Sequence, residues 1–113
     1  MSYITKASTF LAKVEKTLDK FGWIQYVGGN EESGFCLSGA VEYVWKQHTD
    51  GEHKSTRSCV ACRVDEYLMT AISERSIVRW NDDPGRTYPE VKRALKTAHK
   101  AAKLDEKKAA VDA

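Results

Sequence analysis

Four stretches of this chain repeat apolar residues at the three-and-four spacing of an α-helix, and that periodicity limits the possible folds more than any other feature. The first runs Ile4, Ala7, Leu11, Val14, Leu18 and Phe21, with Gly22 as a helix stop. The second, between Phe35 and His48, aligns Leu37, Ala40, Val41, Val44 and His48. Gly39 inside it costs roughly 1 kcal/mol relative to alanine, which points to a close helix crossing as the compensation. A third, from Ser58 to Ser73, places Ala61, Val64, Leu68, Ala71 and Ile72 on one face, and a fourth follows Thr87 with Val91, Ala94, Leu95, Ala98 and Ala102. The intervening pieces read differently. Trp23 to Val27 is a short β-prone run between glycines, and "SIVRW" at 76–80 is an apolar linker or strand. The expected fold is mostly α, a compact bundle of about four helices with short extended or hairpin segments near 23–27 and 76–80.

At 113 residues and 42% hydrophobic content the chain fits one modest core. It reads as a single helical domain over residues 1–104, followed by a frayed basic and alanine-rich tail over 105–113. No apolar run approaches the ~18 residues of a membrane span. The opening "MSYITKASTF" lacks the apolar core and small-residue cleavage site of a secretory signal. Three scattered cysteines are an odd count that suits reduced thiols better than a disulfide framework. These features together describe a soluble, cytoplasmic protein with no membrane role.

The least generic stretch is "WNDDPGRTYPEV", residues 80–91. Thr87 and Glu90 form a capping-box pair in front of the fourth apolar series, and Pro89 lies in the first turn, where its missing N–H is no loss. Asp83-Pro84-Gly85 is a turn tripeptide. Trp80, Asn81, Asp82 and Arg86 are left over, and two readings stand for them. In one, Asn81 and Asp82 bond the turn backbone while Arg86 pairs at the surface with Asp82 or Asp83, worth ~0–1 kcal/mol. In the other, these four residues are surface determinants of binding, with Arg86 and the free amides of the helix start taking a phosphate or carboxylate.

The motifs G-W at 22–23, "GFCLSGA" at 34–40 and "WNDDPGRTYPEV" at 80–91 resemble a family of short uncharacterised proteins of actinobacteria and their phages. Its pattern is G-W, then G-x-C-L-x-G-A, then W-N-D-x-P-x-R-T-x-x-E-V, and the resemblance spans about residues 4–104 of this chain. It implies a helical domain and an actinobacterial or actinophage source, and it brings with it no activity, cofactor or catalytic residue. The lysine- and alanine-rich extension after Leu104 departs from the pattern.

Chemistry-bearing residues are sparse. Cys59 and Cys62 have the spacing of a zinc half-site, with Cys36, His48 and His53 as conceivable further ligands. The motif lacks turn residues and a second C-x-x-C, so small buried hydrophobes are the simpler reading and no cofactor is expected. Pairings such as Cys36 with His48 or Ser73 with His99 have no nucleophile elbow, phosphate loop or paired carboxylates to fix them, which argues against an enzyme. Net charge is +2, but residues 91–113 carry +4, leaving −2 on the rest. Lys92, Lys96, Lys100, Lys103 and Lys107 line one face of the last helix and suggest nucleic-acid binding, although a sequence pI of 8.4 is below the usual footprint. Three tryptophans, Trp23, Trp45 and Trp80, are many for a small core. Trp45 falls one position off its helix stripe and is expected to be partly exposed, and exposed tryptophan favours a protein interface. The reading that follows is a small accessory protein-interaction module, with nucleic-acid binding through the basic helix as the alternative. A homodimer through helix one or four is compatible with the spacing.

Overall fold

The computed structural model describes residues 4–48 and 60–112. Five helices and a two-stranded hairpin occupy them: α1 (Ala7–Phe21), β1 (Gly29–Asn30), β2 (Gly34–Phe35), α2 (Leu37–His48), α3 (Val60–Ile72), α4 (Ile77–Asn81) and α5 (Tyr88–Asp112). The fold is mostly α, as the periodicity predicts. Ser58 and Cys59, assigned from sequence to the start of the third helix, and His53 lie outside the described residues.

Each apolar series faces one shared core. Phe10, Leu11, Val14 and Leu18 of α1 are fully buried, as are Leu37, Ala40 and Val44 of α2, Val64 and Leu68 of α3, and Val91, Leu95, Ala98 and Ala102 of α5. Helix α5 packs along both α1 and α3, and α1 also packs on α2 and α3. The stripe of α1 that would equally have suited a partner helix is therefore covered within the chain. Removing four such side chains from water at ~1.5–3 kcal/mol each makes α1 a dominant contributor to the core.

Three expectations are corrected. Trp45 is 6% exposed, so it belongs to the core, because the buried face of α2 is wider than a two-position stripe. Residues 77–80 are helical rather than extended. Ser76 is an N-cap whose Oγ accepts from the Arg79 N–H at 3.1 Å, and it starts the single-turn α4, which turns Ile77 and Asn81 inward. The hairpin lies beyond 23–27: Gly29 pairs with Phe35 and Asn30 with Gly34, and Trp23 contributes one parallel bridge to Phe35. Asn30 closes the hairpin turn by accepting from the Glu32 and Ser33 amides, both at 2.8 Å.

Gly39 is explained by a close approach, but to a loop rather than a helix. A Cβ there would lie 2.1 Å from the carbonyl oxygen of Gly28, so the 22–35 segment can cross the start of α2 only over a glycine. At the other end of the molecule α5 passes the boundary expected after residue 104 without a break. Asp105 accepts from the Tyr67 hydroxyl at 2.6 Å, which drives that phenol up to about 12, and Glu106 reaches the start of α1. Residues 105 and 106, read from sequence as the beginning of a frayed tail, are helical and tied to the body.

Candidate functional site

The 80–91 stretch divides into two halves that face different ways. The downstream half is the turn and cap read from the sequence. Arg86 N–H donates to the Asp83 carbonyl at 2.8 Å, with Pro84 and Gly85 at the corner and the Gly85 N–H on Asp83 Oδ1 at 3.0 Å. Glu90 Oε1 accepts from the Thr87 N–H at 2.9 Å, one arm of a capping box. The other arm is altered: the Thr87 hydroxyl donates to the same carboxylate at 3.1 Å. The Thr87 backbone and hydroxyl bonds, with the nearby Arg86, hold the Glu90 carboxyl below its usual range.

Arg86 closes this half back on itself. Its guanidinium lies 4.0 Å from the centre of the Trp80 ring, its Nε donates to the Trp80 carbonyl at 2.9 Å, and Nη1 meets Glu90 Oε2 at 3.1 Å. Asp83 stands further off at 3.8 Å. The expected surface pairing with an aspartate is thus secondary to a stack on Trp80 and a bond to Glu90. An incoming phosphate would have to displace contacts already made.

The upstream half turns inward. Asn81 was expected at the surface, yet it has 0% exposure, the correction with the largest consequence for the site. Its Oδ1 accepts from the Trp23 indole N–H at 2.6 Å and from the Leu37 backbone N–H at 3.0 Å. Its Nδ2 donates to the Ile24 carbonyl at 3.2 Å and to Asp82 Oδ1 at 3.0 Å. Its own carbonyl accepts from Gln25 Nε2 at 2.9 Å. Leu37 is the first residue of α2, so Asn81 serves as an N-terminal cap for a helix that begins 44 positions earlier. The residue in the local capping position, Cys36, is buried and offers only its sulfur, to the Gly39 N–H at 3.2 Å.

Asp82 continues the connection by accepting from the Tyr26 N–H at 2.8 Å, and Gln25 adds a second bond to the Asp83 carbonyl at 2.7 Å. The loop after α1 is therefore fastened to the end of α4 at four successive residues, Trp23 to Tyr26. The ring of Trp23 also stacks on Tyr88 of α5, 6.2 Å between centres, and the Tyr88 hydroxyl bonds Asp19 at 2.5 Å. Burial and that bond push the Tyr88 phenol well above its ordinary value, and the same bond, helped by Lys92, holds Asp19 low against its own partial burial.

This fastening presents two large apolar side chains to solvent. Tyr26 is 63% and Val27 61% exposed, and Tyr26 has a φ of 75°, in the left-handed region that a bulky residue seldom enters. Val78 of α4 is exposed one helical turn before Asp82, the residue that holds the Tyr26 backbone. Sequence reasoning found the anchors and missed the loop they hold. The available signal was Gln25-Tyr26-Val27 itself, apolar bulk between a polar residue and the Gly28-Gly29 pair.

The other candidates are dispersed. Lys92 bonds Asp19 at 3.2 Å and reaches Glu15 at 3.6 Å, and Lys96 meets Glu15 at 3.3 Å, so the first two lysines of the row are paired with α1. Lys100, Lys103 and Lys107 lie exposed beyond them. Of the thiols considered for metal, Cys36 is buried and Cys62 half-buried, while Cys59, His53 and the His48 side chain lie outside the described residues. Among the described residues there is no group of three or more His, Cys, Asp or Glu placed to hold an ion. Cys62 lines a cleft of about 290 Å³ between α2 and α3 with Val41, Trp45 and Asp65, where burial pushes the Asp65 carboxyl up to about 6. No described helix is long and apolar enough to cross a membrane.

No curated protein and no solved structure matches the chain. A family model does, and it covers residues 2–101, hence both the loop and the turn that fastens it. The chain belongs to that family, a family of unknown function designated DUF6197.

Proposed function

We propose that this protein is a small accessory binding module that contacts a partner protein through the loop Gln25–Val27, with Trp80, Asn81, Asp82 and Arg86 as the mount that holds the loop rather than as its contact surface. The observation that carries this reading is Tyr26. A tyrosine in the left-handed region costs roughly 1–2 kcal/mol, and here its ring is left largely in water, where it returns little of that cost to the fold. Strain of this kind persists where surrounding contacts over-determine it, which the Asp82 and Gln25 bonds do. It concentrates at sites whose use requires a fixed geometry. An exposed aromatic on a rigid backbone loses little freedom on binding and suits the centre of an interface.

The resemblance to actinobacterial and actinophage proteins supplies the rest of the proposal: a cytoplasmic protein, phage-encoded, whose partner is a host component. A nucleic-acid role through the last helix would fall to Lys100, Lys103 and Lys107, since Lys92 and Lys96 are paired with α1. That shortened row lies beside an exposed leucine rather than an aromatic platform for bases.

The test is the substitution Tyr26→Gly. Glycine accepts the backbone geometry, so stability is expected to stay level or rise by up to about 1 kcal/mol, while capture of a discrete actinobacterial protein on immobilised chain is lost. A Tyr26→Gly protein that is destabilised by more than about 1 kcal/mol would show that the ring serves the fold, and undiminished capture would place the contact elsewhere.

A further inference from the structure

The far end of α5 carries a second surface with a different character. A cleft of about 470 Å³ is bounded by Lys6, just ahead of α1, and by Lys100, Lys103, Leu104, Glu106 and Lys107 of α5. Leu104 is 52% exposed between the lysines. The two carboxylates of this stretch are directed into the fold: Asp105 takes the Tyr67 hydroxyl, and Glu106 takes the Ser8 N–H at 3.1 Å and the Ser8 Oγ–H at 2.6 Å. Lys6, Lys100, Lys103 and Lys107 form no ion pair with a described residue, in contrast to Lys92 and Lys96 on the same helix. The chain thus neutralises the first half of its lysine row internally and leaves the second half uncompensated around one apolar side chain.

We infer that this cleft docks an acidic protein segment that carries an apolar residue to cover Leu104. The charge favours an anionic partner, and the leucine decides which kind. A phosphate backbone gains nothing by dehydrating Leu104. A segment with glutamate or aspartate flanking a leucine satisfies the lysines and buries the apolar contact together. This surface lies on α5 some sixteen residues beyond Tyr88, on the order of 24 Å along the helix from the Trp23 stack, so it is separate from the Tyr26 loop and does not depend on it.

The test is fluorescence anisotropy on the full chain with a labelled synthetic peptide of glutamates interrupted by leucines at helical spacing. Two controls are the same peptide with serine for leucine and a single-stranded oligonucleotide. The leucine peptide is expected to bind, to weaken about tenfold between roughly 50 and 300 mM salt, and to weaken about tenfold again on Leu104→Ser. Binding is lost in Lys100→Glu/Lys103→Glu, and amide shifts in the heteronuclear spectrum fall on Lys6 and the segment from Lys100 to Lys107. Equal affinity for the serine peptide, tighter binding of the oligonucleotide, or an unchanged Leu104→Ser protein would each overturn the inference. Leu104 is exposed, so its substitution leaves the fold intact and keeps the result readable.

Discussion

The starts of α4 and α5 and the starts of α1 and α2 solve the same problem in opposite ways. Every helix leaves its first amide groups without internal partners. α4 has Ser76 and α5 has Thr87 with Glu90, all within three residues of the amides they serve or answer. α1 follows Lys6, which supplies no side-chain cap, and α2 has only the Cys36 sulfur nearby. Their caps come from far along the chain: Glu106 bonds the Ser8 amide and hydroxyl across 98 positions, and Asn81 bonds the Leu37 amide across 44. Local caps stabilise a helix whether or not the rest of the molecule has formed. Remote caps form only with the tertiary fold, so they make the helix start, the loop beside it and the distant anchor one cooperative unit.

The largest test of that difference is Asn81→Ala. It leaves the Trp23 indole and the Leu37 amide as donors without their partner at a fully enclosed position, and at about 1–3 kcal/mol each a loss of roughly 3–5 kcal/mol in chemical denaturation is expected. Glu106→Ala comes next. Ser8 is buried while Glu106 is partly open to water, which can replace some of the lost contact, so roughly 1–2 kcal/mol is expected from the same measurement. The smallest is Thr87→Ala at the locally capped α5, about 0.5–1 kcal/mol, because Thr87 is exposed and Glu90 keeps its bond to the backbone amide. An order in which Thr87 exceeds Asn81 would invert the comparison.

The same contrast accounts for what could be read in advance. The core stripe of α1 was legible at Leu11, Val14 and Leu18 by its period, which passed over the equally buried Phe10, and all five apolar positions of α5 were placed correctly, because burial follows helical spacing. Turn and cap chemistry between Asp83 and Glu90 was legible because its partners lie within four residues. "SIVRW" was misread as extended because a five-residue apolar run has no decisive period, and the signal that separated the two readings was Ser76 as an N-cap. Trp45 was misplaced by one position of rotation around α2. Asn81 could not be read at all. A polar residue beside a turn ordinarily bonds its neighbours, and nothing in its vicinity announces Trp23 and Leu37 as its partners. The proposed function follows the same division: the motif that stands out in the sequence is the proposed mount, and the proposed contact, Tyr26, is distinguished chiefly by its exposure and its backbone angle.

The measurement that bears most directly on the Asn81 latch is native-state hydrogen exchange of the wild-type and Asn81→Ala chains, read at the Leu37 amide, the Trp23 indole N–H and the Tyr26 amide. A latch at Asn81 predicts that all three lose protection together in Asn81→Ala, while amides in the body of α5, such as that of Leu95, fall only in step with global stability. Loss confined to the Trp23 indole, with Leu37 and Tyr26 still protected as in the wild type, would contradict it and reduce Asn81 to a partner of one side chain.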